Sequence, residues 1–215
     1  MQTGINIFGK IPGVIKFCAG TLCFLSVVPA LIIVGCTRPP AQKPVPAAGR
    51  SALPLDQARL AVLAQSDRDC QVRRAAVQKL ADQTVLEKVA AEDSSTMVRR
   101  AAVKKLTNEL AVARSAVEDR SSDVRIAAVE KLVDEAVLAV VAVQDADRAV
   151  RAAAVKKCTD QAVLEKAAVE DADWQVRSLA AERLYDEELL EKISVQDRNA
   201  DVRRAAAKRL ADMKK

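Results

Sequence analysis

Apolar and polar positions recur along most of this chain with a period of 26 residues. The segment that begins at Val72, VRRAAVQKL, returns in edited form at five later valines: Val98, Val124, Val150, Val176 and Val202. Residues 56–211 contain six such units without an insertion or a deletion. Since a unit of this size cannot bury its apolar face alone, the repeat predicts units that stack on one another.

Inside each unit the apolar spacing is helical and predicts a short helix followed by a longer one. The short helix of the second unit is expected to span Gln83–Glu92, and the longer helix of the first unit Cys70–Ala81. The buried stripe of that longer helix is predicted from its spacing to be Val72, Ala75, Ala76 and Leu80.

Good N-cap residues precede both helices of every unit. Those before the short helices are Asp56, Asp82, Asn108, Asp134, Asp160 and Asp186. Those before the longer helices are Asp69, Ser95, Ser121, Asp147, Asp173 and Asn199. No glycine or proline follows Pro54, so nothing interrupts the helices. The sequence therefore predicts an all-α fold, an αα-solenoid of six units.

Two sets of basic residues recur in the longer helices. The first set falls between apolar positions: Arg73, Arg99, Arg125, Arg151, Arg177 and Arg203. A charge on a buried arc needs a partner, and the aspartate in the turn of the same or the adjacent unit is the natural one, so we interpret this set as a structural ladder. The second set is expected to complement the dipole at the end of its own helix: Lys79, Lys105, Lys131, Lys157, Arg183 and Arg209.

The succession of Asp, a short gap, Val-Arg, Ala-Ala-Val and Lys-Leu resembles HEAT repeats in the short form common in bacteria. The resemblance covers residues 56–211 in six copies. It implies Asp–Arg pairs along the stack and a concave face, lined by one set of helices, on which partners often bind. Full-length HEAT units are longer, so shorter helices are expected here.

The first 35 residues are typical of an export signal, with Lys10 and Lys16 followed by an uncharged apolar run over residues 17–35. The run ends in Ile33-Val34-Gly35-Cys36, which resembles the lipobox of bacterial lipoproteins. That resemblance implies cleavage before Cys36 and a lipid on its sulfur. Thr37 is not the Asp that tends to retain Gram-negative lipoproteins at the inner membrane, so the resemblance implies the outer membrane, facing the periplasm, if the source is Gram-negative.

An uncleaved transmembrane anchor is the alternative, because an apolar run of this length can just span a bilayer. Both interpretations place the repeats outside the cytoplasm. The sequence thus divides into a signal peptide at 1–35, a lipidated Cys36 and Pro-rich linker at 36–55, and a repeat domain at 56–215.

Charge and composition narrow the possible functions. The first 55 residues contain five of the 34 Lys and Arg and none of the 29 Asp and Glu, so the net charge of +5 lies there and the repeats are formally neutral. A neutral array lacks the basic stripe that nucleic acid needs. The chain has no His, and its acidic residues follow the repeat. We therefore expect no catalytic residues, no metal, no cofactor and no small-molecule substrate.

Departures from the repeat mark the candidate binding residues. The short helices carry Glu-Lys at residues 87–88, 165–166 and 191–192, but Ala113-Arg114 and Ala139-Val140 in the middle units. The helix over residues 136–143 is then apolar all round, which indicates either a covered helix or a docking patch. Trp174, the single Trp, stands at a variable position near a cap and is either a binding residue or packed on the adjacent turn.

Three functions are compatible with this sequence. The first is a non-enzymatic scaffold, tethered to the membrane, that binds another envelope protein through its central helices. The second is an enzyme or accessory protein, since some HEAT-like proteins are bilin lyases; a HEAT-like hydroxylase would need His. The third is a structural spacer without a specific partner.

Lipidation at Cys36 can be tested directly. Cells supplied with a palmitate analogue are expected to label the wild-type protein and not Cys36→Ala, because the thiol is the attachment point. Labelling is measured on the immunoprecipitated protein, and equal labelling of both forms would contradict lipidation at this residue.

Overall fold

The structure is a computed structural model and describes residues 55–215. This part of the chain consists of helices without a strand, which confirms the predicted all-α class. The odd-numbered helices are α1 (Leu55–Ser66), α3 (Gln83–Glu92), α5 (Glu109–Glu118), α7 (Glu135–Gln144), α9 (Gln161–Glu170) and α11 (Glu187–Gln196). The even-numbered helices are α2 (Cys70–Lys79), α4 (Thr96–Lys105), α6 (Ser122–Lys131), α8 (Arg148–Lys157), α10 (Trp174–Ala181) and α12 (Ala200–Met213).

The predicted signal peptide and lipidation site, and the linker up to residue 54, lie outside the described residues. None of the described helices combines the length and apolarity needed to cross a bilayer.

Neighbouring helices pack in a repeated pattern that is consistent with an αα-solenoid. Each odd-numbered helix packs against the even-numbered helix that follows it. Each even-numbered helix also packs against the even-numbered helices on either side, whereas successive odd-numbered helices contact one another less. The even-numbered row, rich in alanine, is therefore the tighter side of the stack.

The chain turns without glycine after α2 to α9 and after α11 because each of these helices ends on a residue in extended conformation, whereas Glu182 after α10 is in helical conformation. The backbone at Leu80 has φ −70° and ψ 135°, and that at Asp93 has φ −59° and ψ 138°. Negative φ carries no penalty for a side chain. The predicted end of α2 at Ala81 is corrected to Lys79, since Leu80 has already left the helix to enter the core.

Most of the predicted caps are formed. The side chains of Asp82 and Asp134, for example, accept hydrogen bonds from backbone N–H groups in the first turns of α3 and α7. Asp56 is a correction, because α1 begins at Leu55 and places Asp56 inside its first turn, where an acid still favours the helix dipole. Ser95 and Ser121 precede their helices but make no side-chain cap, which nothing in the structure explains.

The buried stripe of the even-numbered helices differs from the prediction in the first unit. Ala76, Val77 and Leu80 are buried, whereas Val72 and Ala75 are exposed. Val72 is exposed because it lies in the first described unit, whereas in later units the equivalent valine is covered by the preceding unit. Val77 was missed because the predicted stripe was drawn too narrow.

An Asp–Arg ladder joins consecutive units at one edge of the stack. Nε of each arginine donates to Oδ2 of the turn aspartate in the following unit at 2.7–2.9 Å, and Nη2 donates to Oδ1 of the same carboxylate. The pairs are Arg73–Asp93, Arg99–Asp119, Arg125–Asp145, Arg151–Asp171 and Arg177–Asp197. Nη1 donates to the backbone carbonyl of the turn aspartate in the arginine's own unit, so one guanidinium bridges two turns.

Arg203, in the last unit, keeps only the second half of this pattern. Its Nη1 donates to the carbonyl oxygen of Asp197 at 2.6 Å, and it pairs with no carboxylate in the described chain. Its predicted pairing with a turn aspartate is therefore corrected for the described residues to a bond with the backbone carbonyl of Asp197.

The ionised form of Asp119, in the second pair of the ladder, is favoured despite its burial. Burial alone would raise the pKa of Asp119, but hydrogen bonds from Arg99 and from the backbone N–H of Ser121, together with the charge of Arg99, hold that pKa below its ordinary value. The pKa of Arg99 is correspondingly raised by its hydrogen bonds to Asp119. Its hydrogen bonds and the neighbouring guanidinium thus favour the charged form of the Asp119 carboxylate.

Two further sets of contacts join helices at the opposite edge. Nζ of Lys105, Lys131 and Lys157 donates to carbonyl oxygens at the C-terminal end of the preceding even-numbered helix, 2.6 Å from Leu106 O in the case of Lys131. These cations lie in the last turn of their own helix, as expected, and their hydrogen bonds also place them at the C-terminal end of the neighbouring helix. In addition, Gln83 Oε1 accepts a bond from Thr107 N at 2.9 Å within one unit, which we call a first-turn strap.

Loss of a ladder arginine is expected to destabilise the protein strongly. Arg125→Ala leaves the buried Asp145 carboxylate unpaired and should lower the free energy of unfolding by about 3 kcal/mol. Arg120→Ala, which removes an exposed side chain bonded only to the carbonyls of Asp93 and Ser94, should cost less than about 1 kcal/mol. Urea or thermal denaturation followed by circular dichroism compares the two, and equal shifts would refute the role of the ladder.

Candidate protein-binding surface

The four departures in the middle units lie on α5 and α7, in the looser row of helices. Ala113 and Ala139 are half-buried, whereas Arg114 and Val140 are exposed. In α7, Leu138, Val141 and Ala142 are buried in the core, so the remaining apolar side chains of this helix, such as Val140, lie on its outer side. Val140 is thus an exposed aliphatic side chain where four of the equivalent residues are basic and only the first unit also has a valine, Val62.

An apolar depression, here called the central recess, opens beside the N-terminal half of α5. It has a volume of about 420 Å³ and is walled by apolar residues: Leu106, Leu110, Val112, Ala113, Leu132 and Val133. Leu110 and Val133 are 75% and 74% exposed, which is unusual for large aliphatic side chains. Of the five protein-binding residues predicted from the sequence, Ala113 alone lines this recess.

The recess lies in the third unit, where the hydrogen bond of the first-turn strap is not formed within the described residues. Gln57, Gln83, Glu135 and Gln161 each accept a hydrogen bond from the backbone just after the even-numbered helix of their unit. Glu109 has the equivalent position in the third unit but accepts no such bond from Val133 within the described residues; its side chain lines the recess instead. The strap that ties the two helices together in the first, second, fourth and fifth units is absent here within the described residues, and the space beside it is open. The sixth unit also lacks it, because Ala211 is still inside α12.

Leu110 and Val133 are functional candidates that the sequence prediction missed. The equivalents of Leu110 are the small or polar residues Thr84, Ala136, Ala162 and Glu188, and those of Val133 include Thr107 and Thr159. The same test that singled out Val140, a comparison of each residue with its equivalents, would have found both.

The remaining predicted residues lie elsewhere. Arg114 lines a separate, smaller groove between α3 and α5, with Glu87 and Glu118. Trp174 is the first residue of α10, in the tighter row, and its ring is partly exposed. Its neighbours Asp173 and Gln175 line a groove of about 520 Å³ on that row, where Asp173 pairs with Arg148. The structure therefore separates Trp174 from the surface that includes Ala113 and Val140.

The central recess suits an apolar side chain better than a polar ligand. Its charged residues, Glu109, Lys131 and Asp134, stand at its edge, and Lys131 and Asp134 are already engaged with Leu106 O and the N-terminus of α7. A site for a small polar molecule would combine apolar walls with convergent polar groups. Within residues 55–215, no three Cys, Asp or Glu side chains are grouped so that they could hold a metal ion.

No protein-family model, curated protein or solved structure matches this chain.

Proposed function

We propose that the protein is a membrane-tethered scaffold of six HEAT-like repeats that binds another protein of the bacterial cell envelope. The exposure of Leu110 and Val133 around the central recess carries this proposal. In this interpretation a partner inserts an apolar side chain into the recess and covers Val140 on the adjacent helix.

The energetics favour occupation of the recess. Burying an aliphatic side chain the size of leucine stabilises a complex by about 2 kcal/mol, and the recess offers two such side chains next to each other. Contacts of this kind, at the centre of an interface and surrounded by polar residues, contribute most of the binding energy in protein complexes. Glu109, Lys131 and Asp134 are the polar rim in this arrangement.

The regular parts of the stack support a non-enzymatic role. The buried charged side chains, Arg73, Arg99 and Arg177, are all engaged in the Asp–Arg ladder and so hold the units together. The lipobox-like segment before Cys36 and the proline-rich residues after it support the tether, which would hold the repeats away from the membrane. Sorting to the outer membrane and exposure to the periplasm belong to the same proposal.

Photo-crosslinking in intact cells tests the scaffold. A photoreactive amino acid at position 110 or 140 is expected to give a discrete protein adduct, because both positions face the proposed partner. Positions 84 and 166 are the matched controls, since they are the equivalents of 110 and 140 in other units and lie outside the recess. Adducts are measured by immunoblot after denaturing electrophoresis.

Leu110→Glu or Val133→Glu should abolish the adduct formed from position 140, whereas Thr84→Glu should leave it intact. No adduct from either position 110 or position 140 would contradict the scaffold and favour a spacer. An adduct of equal yield from all four positions would indicate nonspecific contact and would likewise refute the recess as the site.

A further inference from the structure

The two ends of the stack carry complementary halves of the contacts that join consecutive units. Arg203, in the last unit, has the carbonyl of its own turn but no carboxylate beyond it in the described chain. Asp67, in the first unit, binds the N–H of Asp69 at 2.8 Å like every other turn aspartate, but none of the arginines at positions 56–215 pairs with it. Within the described residues, the last unit therefore has a ladder arginine without a carboxylate, and the first unit has a turn aspartate without an arginine.

The internal register specifies where a second copy would dock. Asp67 is the equivalent of Asp93 and Asp119, the residues that pair with the arginine of the preceding unit. A second copy stacked as a seventh unit would thus place its Asp67 against Arg203 of the first. The packing between even-numbered helices that such a junction would reuse recurs along the described stack, although α12 continues to Met213 where α2, α4, α6 and α8 end before the equivalent of Leu210.

The odd-numbered helices at this junction are complementary as well. Between α3 and α5, a groove is lined by Glu87 and Ala91 from one unit and by Ala111 and Arg114 from the next. The equivalents at the junction are Glu191 and Val195 of one copy and Arg59 and Val62 of the second.

Opposite charges and two exposed valines therefore meet at this groove. Arg59 is an exception in its position, where the other five units have an aliphatic residue. It would line the same groove as Glu191, an acid, which would also lie near Asp56, because Glu87 at the internal junction accepts a hydrogen bond from Asn108, the equivalent of Asp56. Val195 and Val62 are 77% and 63% exposed in the single chain, and both would enter the same groove.

Apolar side chains in the first and last described units are more exposed than their equivalents in the middle units. Val72 is 38% exposed, whereas its equivalents Val98, Val124, Val150, Val176 and Val202 are fully buried by the unit before them. Leu210, in the last unit, is half-buried where Leu80, Leu106 and Leu132 are buried. A head-to-tail contact would cover both.

We infer that the chain associates head to tail with a second copy of itself, the sixth unit of one copy docking on the first unit of the next. Arg203 pairs with Asp67 of the second copy, and Glu191 lines the same groove as Arg59 of the second copy. Such an interface is heterologous, so it leaves one end of each kind open and extends to further copies. It uses the ends of the stack and is independent of the central recess.

Disulfide crosslinking of the full chain tests the register. A Val62→Cys chain mixed with a Val195→Cys chain, in detergent under mild oxidation, is expected to yield a linked peptide joining positions 62 and 195, identified by mass spectrometry. Val169→Cys is the matched control: Val169 is the exposed equivalent of Val195 in the fifth unit and should not link to position 62. No 62–195 peptide, or equal linkage from position 169, would overturn the inference.

Charge reversal tests the same junction without crosslinking. Sedimentation equilibrium of the full chain in density-matched detergent should show species larger than a dimer for the wild type. Arg59→Glu or Glu191→Arg should each weaken this association by about tenfold or more, and the double variant should restore it, because the opposite charges are exchanged. These side chains are exposed, so the variants keep the fold.

Arg100→Glu and Glu130→Arg make the same charge changes on exposed middle positions and should have no effect. A wild type that stays monomeric would overturn the inference. So would association that is insensitive to Arg59 and Glu191, which would point to another occupant of the ends, such as residues 1–54.

Discussion

The bidentate pair between a helix arginine and the turn aspartate of the next unit determines how each unit sits on its neighbour. The guanidinium holds a carboxylate of the following unit through Nε and Nη2 and a carbonyl of its own unit through Nη1. Alanine and valine surfaces can slide along each other with little loss of contact, but a buried charge cannot leave its partner without a large cost. The apolar core therefore supplies most of the stabilisation, and the ladder fixes the register.

This division of roles explains why the proposed binding surfaces lie where the contacts between units depart from the repeat. The Asp–Arg ladder joins one edge of the stack, while lysines and first-turn straps join the other. Where the strap at Glu109 is open, two aliphatic side chains remain exposed around a recess. In the last and first of the described units, Arg203 and Asp67 have no ion-pair partner among residues 55–215. Both proposed interactions use groups that the repeat itself leaves unsatisfied.

The sequence predicted the helices and their stacking because period, caps and apolar spacing all indicated one architecture. It predicted α3 to the residue, yet it extended α2 by two residues, since a leucine at the end of a helical pattern does not show that its backbone has turned away. It identified the ladder arginines but left open which unit supplies the carboxylate, because that depends on the offset between stacked turns. The partners of Lys105 and the recess beside Leu110 depend on neighbouring units and could not be located from one helix alone.

A double-mutant cycle on Arg99 and Asp119 tests the role of the ladder most directly. The unfolding free energies of Arg99→Ala, Asp119→Ala and the double variant give the coupling between the two side chains, with the exposed pair Arg204 and Asp201 as the reference. Coupling of about 2 kcal/mol or more for the ladder pair, and near zero for the reference, is the expected result. Additive effects at Arg99 and Asp119 would show that the pair does not join the units.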